Sequence, residues 1–201
     1  MKLALFGYGG HAREVYWSLD LSQRVGLKFF VDDKYYKEED ENVFPTSKFD
    51  PEEYKVMVAV GDPKIRKSIV DSLPSNTKYF TFIHPTAQII GADVTIGEGS
   101  FIGINSIITT NIVIGKHAIL NRGNQIGHDS IIGDFFSAMP GAIVSGNVHI
   151  GNCVYMGTNS SIIEKKFISN DITIGANGVV TRDITESGVY VGVPAKKTQT
   201  N

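Results

Sequence analysis

The chain reads as a Rossmann-like α/β unit over residues 1–82, followed by a left-handed parallel β-helix of hexapeptide repeats over residues 83–201. Two observations predict the β-helix: an apolar residue returns at every sixth position from Ile90 to Val180, and glycine commonly follows it. A third predicts the first unit, an apolar run at residues 2–6 that leads directly into Gly7-Tyr8-Gly9-Gly10.

The periodic positions are Ile90, Ile96, Ile102, Ile108, Ile114, Leu120, Ile126, Ile132, Ala138, Val144, Ile150, Met156, Ile162, Ile168, Ile174 and Val180. The chain is 42% apolar, so independent draws would fill all of them with a probability on the order of 10⁻⁶. A period of six fits neither an α-helix nor a two-faced strand. It fits short strands joined by tight corners, each directing one aliphatic side chain into a narrow prism. Three hexads close one coil, and coils stack through parallel backbone hydrogen bonds. Repeats of this kind mostly coil left-handed, against the usual crossover rule. Glycine after the aliphatic residue is expected where the backbone bends sharply. The fifth place is small or β-branched, as at Val94, Ser100, Ser106, Ala118, Ser130 and Ala142. Ile83-His84-Pro85-Thr86-Ala87 is one residue out of phase and is expected to open the first coil. Glu164-Lys165-Lys166-Phe167 keeps the period without the small residues and is expected to bulge outward. After Val180, residues 190–196 read as a closing strand and tail.

In the first unit, residues 2–6 read as a buried strand and 12–19 as a helix. Residues 28–31 form a second strand ending at Asp32-Asp33. A third strand over 54–60 runs into Gly61-Asp62-Pro63 and a helix through Ile65, Ile69 and Leu73. Gly7-x-Gly9-x-x-Ala12 matches the dinucleotide fingerprint, with Asp32 near the distance at which an acidic residue meets a ribose. A helix N-terminus offers unpaired N–H groups to a phosphate, and the glycines allow it to come close. A dinucleotide site needs two mononucleotide halves and this unit has room for one, so one nucleotide diphosphate group is favoured over NAD. A polar strand end is the alternative role of Asp32-Asp33.

Composition narrows the function. The formal net charge is −2 with no basic block, which argues against nucleic acid. No apolar run approaches the ~18 residues of a membrane span. The N-terminus lacks a signal-peptide pattern, and Cys153 is the only cysteine, so no internal disulfide forms. A cytoplasmic protein is expected. His117, His128 and His149 take the fourth, third and sixth places of their hexads, so they do not stack within one chain and no metal site is expected. His128 should project outward. Asp129 beside it can accept from one imidazole nitrogen and make the other a better base; an ordinary surface histidine is the alternative. Asn121 fills a slot usually held by glycine, and because Asn tolerates left-handed backbone it reads by itself as a corner residue. Cys153 reads as a packing residue.

Several of these pieces resemble one family. They are Gly7-Tyr8-Gly9-Gly10-His11, Val31-Asp32-Asp33, Val60-Gly61-Asp62 with Arg66, Asn121 with His128-Asp129, and Val191-Gly192-Val193-Pro194-Ala195-Lys196. Together they are similar to the PglD/NeuD-like sugar acetyltransferases over nearly the whole chain. The resemblance implies acetyl-CoA as donor, no metal, and a homotrimer with each active site between two chains. It implies His128 as proton acceptor, Asp129 (Glu in close relatives) raising its basicity, Asn121 as a polar active-site residue and Gly146 as a backbone N–H donor near the thioester. Tyr8, Gly9, Gly10, His11, Asp32, Asp33 and Gly61 match the nucleotide-sugar site. Acetyl-CoA is expected along the coils near Ser137, Gly157 and Thr158, with Ser137 standing where some relatives have His. Lys165, Lys166, Lys196 and Lys197 can meet CoA phosphates or solvent. The implied activity is N-acetylation of a UDP- or dTDP-linked amino sugar by direct attack. The alternatives are O-acetylation of a sialic-acid-type sugar, a non-catalytic nucleotide-sugar-binding protein and an NAD-dependent enzyme.

Overall fold

A computed structural model of the protein describes residues 1–38 and 40–198. The chain divides into two compact units, Met1–Thr81 and Phe82–Asn201.

In the first unit the order is β1 (Lys2–Phe6), α1 (Gly10–Ser18), α2 (Leu21–Arg24), β2 (Lys28–Val31), β3 (Val43–Pro45), β4 (Tyr54–Val58), α3 (Pro63–Ser72) and β5 (Lys78–Tyr79). All five strands are parallel, in the order β3-β2-β1-β4-β5. The central strand β1 ends in buried Ala4, Leu5 and Phe6, the continuous apolar run of a strand covered on both faces. Phe30 stacks on Phe6 at 5.4 Å between ring centroids and meets Phe49 edge-on at 5.3 Å. α3 starts where Asp62 accepts from the N–H groups of Lys64 and Ile65, both at 2.9 Å, with Pro63 in the first helical position. Short β3, β5 and α2 add to the βαββα pattern read from sequence; two to four residues are too few to display a period.

The second unit has three sheets of mostly two-residue strands. The first face runs from Phe82–Ile83 to Lys196–Lys197, the second from Gln88–Ile89 to Val179–Val180, and the third from Thr95–Ile96 to Phe167–Ile168. Up to the closing strands, neighbouring strands within a face are parallel and one coil apart, as in Ile119↔Ser137, Gln125↔Ile143 and Ile131↔His149. The periodic residues form the core: Ile102, Leu120, Ala138, Met156 and Ile174 stack on the first face and are all fully buried. The small fifth-place residues fill the corners from inside. Buried Ser106 donates to the Asn121 carbonyl at 3.0 Å, and Ser100 Oγ accepts from the Ala118 N–H at 3.0 Å. The closing strand reads as expected: Gly188–Val191 pairs with Ile172–Ile174, and Lys196–Lys197 folds back antiparallel.

Three sequence expectations are corrected. Glycine after the aliphatic residue is not where the backbone turns left-handed. Positive φ falls two residues later, at Asn105, Asn111, His117, Asp129, Phe135, Asn147 and their successors. The glycine is required by coil-to-coil approach: a Cβ on Gly133 would lie 2.5 Å from Asn152 Oδ1 and 2.7 Å from the Gly151 carbonyl carbon. That Asn152 oxygen caps the Asp134 N–H at 2.8 Å, and Asn170 caps Asn152 at 2.7 Å, a ladder up one corner. Asn121 is accordingly not a left-handed corner residue. The phase slip near the start also extends further than expected. Ile89, not Ile90, pairs with Ile108, and Ile90 is exposed. Finally, residues 164–167 do not bulge, because Lys165 takes the regular left-handed corner and Phe167↔His149 keeps register.

Gly133→Ala should destabilise the protein by about 1–3 kcal/mol, the range for overpacking a tight contact. Chemical denaturation with an unchanged m-value would confirm it, whereas a variant as stable as wild type would refute the role of close approach.

Candidate active site

The corner between the second and third faces carries His128 and Asp129, after strand Gln125–Ile126 and before Ile131–Ile132. Asp129 takes the left-handed place, φ 60°, and its side chain turns back along the corner. Asp129 Oδ2 lies 2.7 Å from His128 Nδ1, and its Oδ1 accepts from Asn111 Nδ2 at 2.6 Å. These two bonds, Asn111 first, hold the Asp129 carboxyl below the usual carboxylate range. An ionised carboxylate can only accept, so Nδ1 carries the proton and Nε2 presents its lone pair. The imidazole is well exposed, at 63% of its side-chain surface. The next coil places Gly146 beside the ring: a Cβ there would lie 2.6 Å from Nε2. Glycine therefore leaves the basic nitrogen room. The Gly146 carbonyl accepts from Lys165, while its N–H has no acceptor within the chain among the described residues.

Asn121 stands elsewhere, at the corner between the first and second faces, where its Oδ1 accepts from the Arg122 N–H at 2.8 Å. Gly157 and Thr158 share this corner two coils further on. Gly157 is buried and Thr158 exposed; Ser137, in strand Ser137–Ala138, is fully buried. Of the three positions expected along acetyl-CoA, Thr158 is the one open to a ligand. Among the described residues no cluster of His, Cys, Asp and Glu could hold a metal ion. His117 is buried against Phe135 (ring centroids 5.1 Å apart), His149 stacks on Phe167, and Cys153 is buried at a left-handed corner.

The first unit carries a cleft of about 1540 Å³ at the C-terminal ends of β1 and β2, lined by Gly7, Tyr8, Gly9, Asp32, Asp33 and Lys34 among others. This is where ligands bind in an open parallel sheet. Gly7 has φ +105°, which an L side chain rarely adopts. Gly9 caps α1 without a side-chain bond, and nothing lies within 4 Å of a Cβ built on Gly9 or Gly10. The first turn of α1 thus faces open space. Tyr8 donates its hydroxyl to Asp40, whose other oxygen accepts from the Asn42 N–H. The two aspartates differ. Asp33 Oδ1 accepts from Thr46 Oγ1 and the Ser47 N–H, at 2.9 and 3.0 Å, and ties the two loops together. Asp32 is open and pairs with Lys34, whose backbone N–H and ammonium hold the carboxyl below its ordinary range. Gly10, His11 and Gly61 lie outside the cleft lining. His11 is mostly buried, and burial pushes its pKa down against the opposing pull of Glu14. Fully buried Arg66 donates to the carbonyls of Val60 and Gly61 at 2.5 and 3.2 Å and so shapes the loop after β4.

Sequence reasoning missed Asn111, Asp40 and Thr46. For Asn111 a signal existed, since it sits one coil before Asp129 in the same hexad place. For Asp40 and Thr46, in irregular loops, none did. Arg66→Leu should cost about 2–3 kcal/mol, as two carbonyls lose a charged donor; urea unfolding of the full chain measures it, and a loss within error of zero contradicts the assigned role.

Comparison with known proteins agrees with this fold. Residues 2–73 match the family model of the PglD N-terminal domain. The chain is 30% identical over 183 residues to the GDP-perosamine N-acetyltransferase of Escherichia coli O157:H7, covering 86% of this chain and 82% of that protein. It superposes on PerB from Caulobacter crescentus, solved in complex with CoA and GDP-perosamine, with a TM-score of 0.86 and 27% identity over 99% of this chain and 98% of that one. WeeI from Acinetobacter baumannii AYE gives a TM-score of 0.85 at 25% identity, with 97% and 98% covered. The fold, the glycine turn, the His128–Asp129 corner and these likenesses together establish that the chain belongs to the PglD-like hexapeptide-repeat acetyltransferases.

Proposed function

We propose that the protein transfers the acetyl group of acetyl-CoA to the amine of a nucleotide-linked amino sugar, with His128 as general base. The observation that carries this reading is the Asp129–His128 pair, which fixes the imidazole proton on Nδ1 and leaves Nε2 open above a glycine. The neutral amine attacks the thioester carbonyl, and Nε2 takes its proton as the tetrahedral intermediate forms. General-base assistance of this kind contributes roughly 10²–10⁴ in rate. The Gly146 N–H is the donor for the oxyanion. As the C–S bond breaks, the imidazolium returns the proton to the departing thiolate. No acyl-enzyme is required, in keeping with a buried Cys153.

The nucleotide is assigned to the cleft of the first unit. Its open helix N-terminus suits a diphosphate, and Asp32 is the carboxylate with capacity left for a sugar or base hydroxyl or amine. Lys34, Lys37 and Lys64 line the same cleft and supply positive charge. The relatives named for GDP-perosamine make GDP a candidate nucleotide beside UDP and dTDP.

The assignment of Asn121 and Thr158 to the same site as His128 supports a homotrimer. The two groups occupy the two corners that flank the second face. Three copies arranged with that face toward a common axis would bring one corner of each chain against the other corner of its neighbour. The outward residues of this face are Gln88, Ile107, Gln125, Ile143, Ser161 and Val179, all partly exposed or exposed, and three of the six are apolar.

Thiol release from acetyl-CoA, measured with a panel of GDP-, UDP- and dTDP-amino sugars, tests the activity. His128→Ala should lower kcat by roughly 10²–10⁴ with little change in KM; wild-type rates in that variant would rule out the base, and no acetylated sugar from the wild-type protein would favour a binding role. Ile143→Glu should yield a monomer by light scattering and lose activity with it. A trimer that survives this change would move the interface to another face.

A further inference from the structure

We propose that Asn111 is a positioning residue for the transfer reaction, orienting the Asp129 carboxylate so that its second oxygen addresses His128 Nδ1. The inference rests on His128 being the general base. Asn111 lies one coil before Asp129, and both residues occupy the left-handed place of the corner, at φ 52° and 60°. Stacking of equivalent corners brings their side chains together, with Asn111 Nδ2 donating to Asp129 Oδ1 at 2.6 Å while Oδ2 faces His128 Nδ1 at 2.7 Å.

The backbone of the pair is held from both sides. The Asp129 N–H donates to the Thr110 carbonyl at 3.1 Å, and the Asn147 N–H donates to the His128 carbonyl at 2.6 Å. Those bonds fix where the two residues sit but not how the carboxylate turns about its Cβ–Cγ bond. With one anchor it turns, the imidazole follows, and the proton is no longer confined to Nδ1. With both oxygens engaged the ring is fixed. Asn111 and Asp129 are both exposed, so their hydrogen bond adds little to folding stability. Its consequence falls on orientation instead.

The charged groups along this corner are few. Thr110 with Asn111 on one side and Gly146 with Asn147 on the other are uncharged. Asp93 stands two coils before the pair, accepting from Thr110 Oγ1, and Glu164 and Lys165 stand two coils after it. A charge introduced at residue 111 is therefore the nearest new influence on the His128–Asp129 pair.

Two variants, both compatible with left-handed backbone, test the proposal beside His128→Ala, using the full chain with acetyl-CoA and whichever amino sugar the panel identifies. In Asn111→Asp the donor is lost and a second carboxylate stabilises the imidazolium. Because the base must be neutral, the acidic limb of kcat/KM should move to higher pH, by about one unit. In Asn111→Gly no charge is added, and kcat should fall roughly ten-fold with both KM values and the unfolding temperature unchanged. If both variants keep the wild-type acidic limb and kcat while His128→Ala is inactive, the role of Asn111 is overturned and the general base stands. If His128→Ala is fully active, the general-base reading falls and this inference falls with it. A loss of activity in Asn111→Gly that merely tracks loss of folded trimer also overturns the inference, since it would mark a structural residue.

Discussion

Each coil of the second unit rests on the next through backbone hydrogen bonds, and at the glycine places the contact leaves no room for a side-chain carbon. Gly127 and Gly133 each donate to the following coil at 2.8 Å, and a Cβ on Gly127 would come within 2.6 Å of the Gly146 nitrogen. The rest of the unit depends on this constraint. It holds the aliphatic residues in continuous buried columns, which supply the hydrophobic stabilisation. It also keeps the corners in strict registry, so that a residue in one hexad place meets the same place in the coils before and after.

That registry is what turns a structural repeat into a candidate catalytic site. His128, Gly146 and Thr110 share one place of the corner; Asp129, Asn111 and Asn147 share the next. A side chain in such a column meets neighbours one coil away at hydrogen-bond distance without any long loop to hold it. The strands have little freedom to shift, so the backbone positions of His128 and Asp129 are set by the scaffold. His128, Asp129 and Asn111 are exposed on the outside of their corner, where they do not disturb the core.

The first unit solves a different problem with a different device. A parallel sheet with β1 at its centre directs the glycine turn, Gly7 to Gly9, into the same cleft as the loop after β2. The left-handed Gly7 makes the turn possible, and the unfilled space beside Gly9 and Gly10 keeps the helix N-terminus approachable. Asp33 braces the cleft wall through Thr46 and Ser47. Asp32 engages only its near neighbour Lys34, so of the two adjacent carboxylates one spans two loops and the other does not.

Much of this was legible in the residues themselves. The six-residue period marks the β-helix because each coil must bury one aliphatic side chain per face, and the outward place of His128 beside an acid follows from the same count. The glycine turn and the apolar strands mark the first unit, since they are local features of backbone and burial. Other features depend on contacts one coil away or between loops, which a linear pattern does not display. The reason for glycine after the aliphatic residue, the extension of the phase slip through Ile89, the anchoring of Asp129 by Asn111 and the different partners of Asp32 and Asp33 were decided only by the tertiary structure. Registry between coils and the meeting of distant loops choose which polar atoms pair, and sequence spacing alone leaves that choice open.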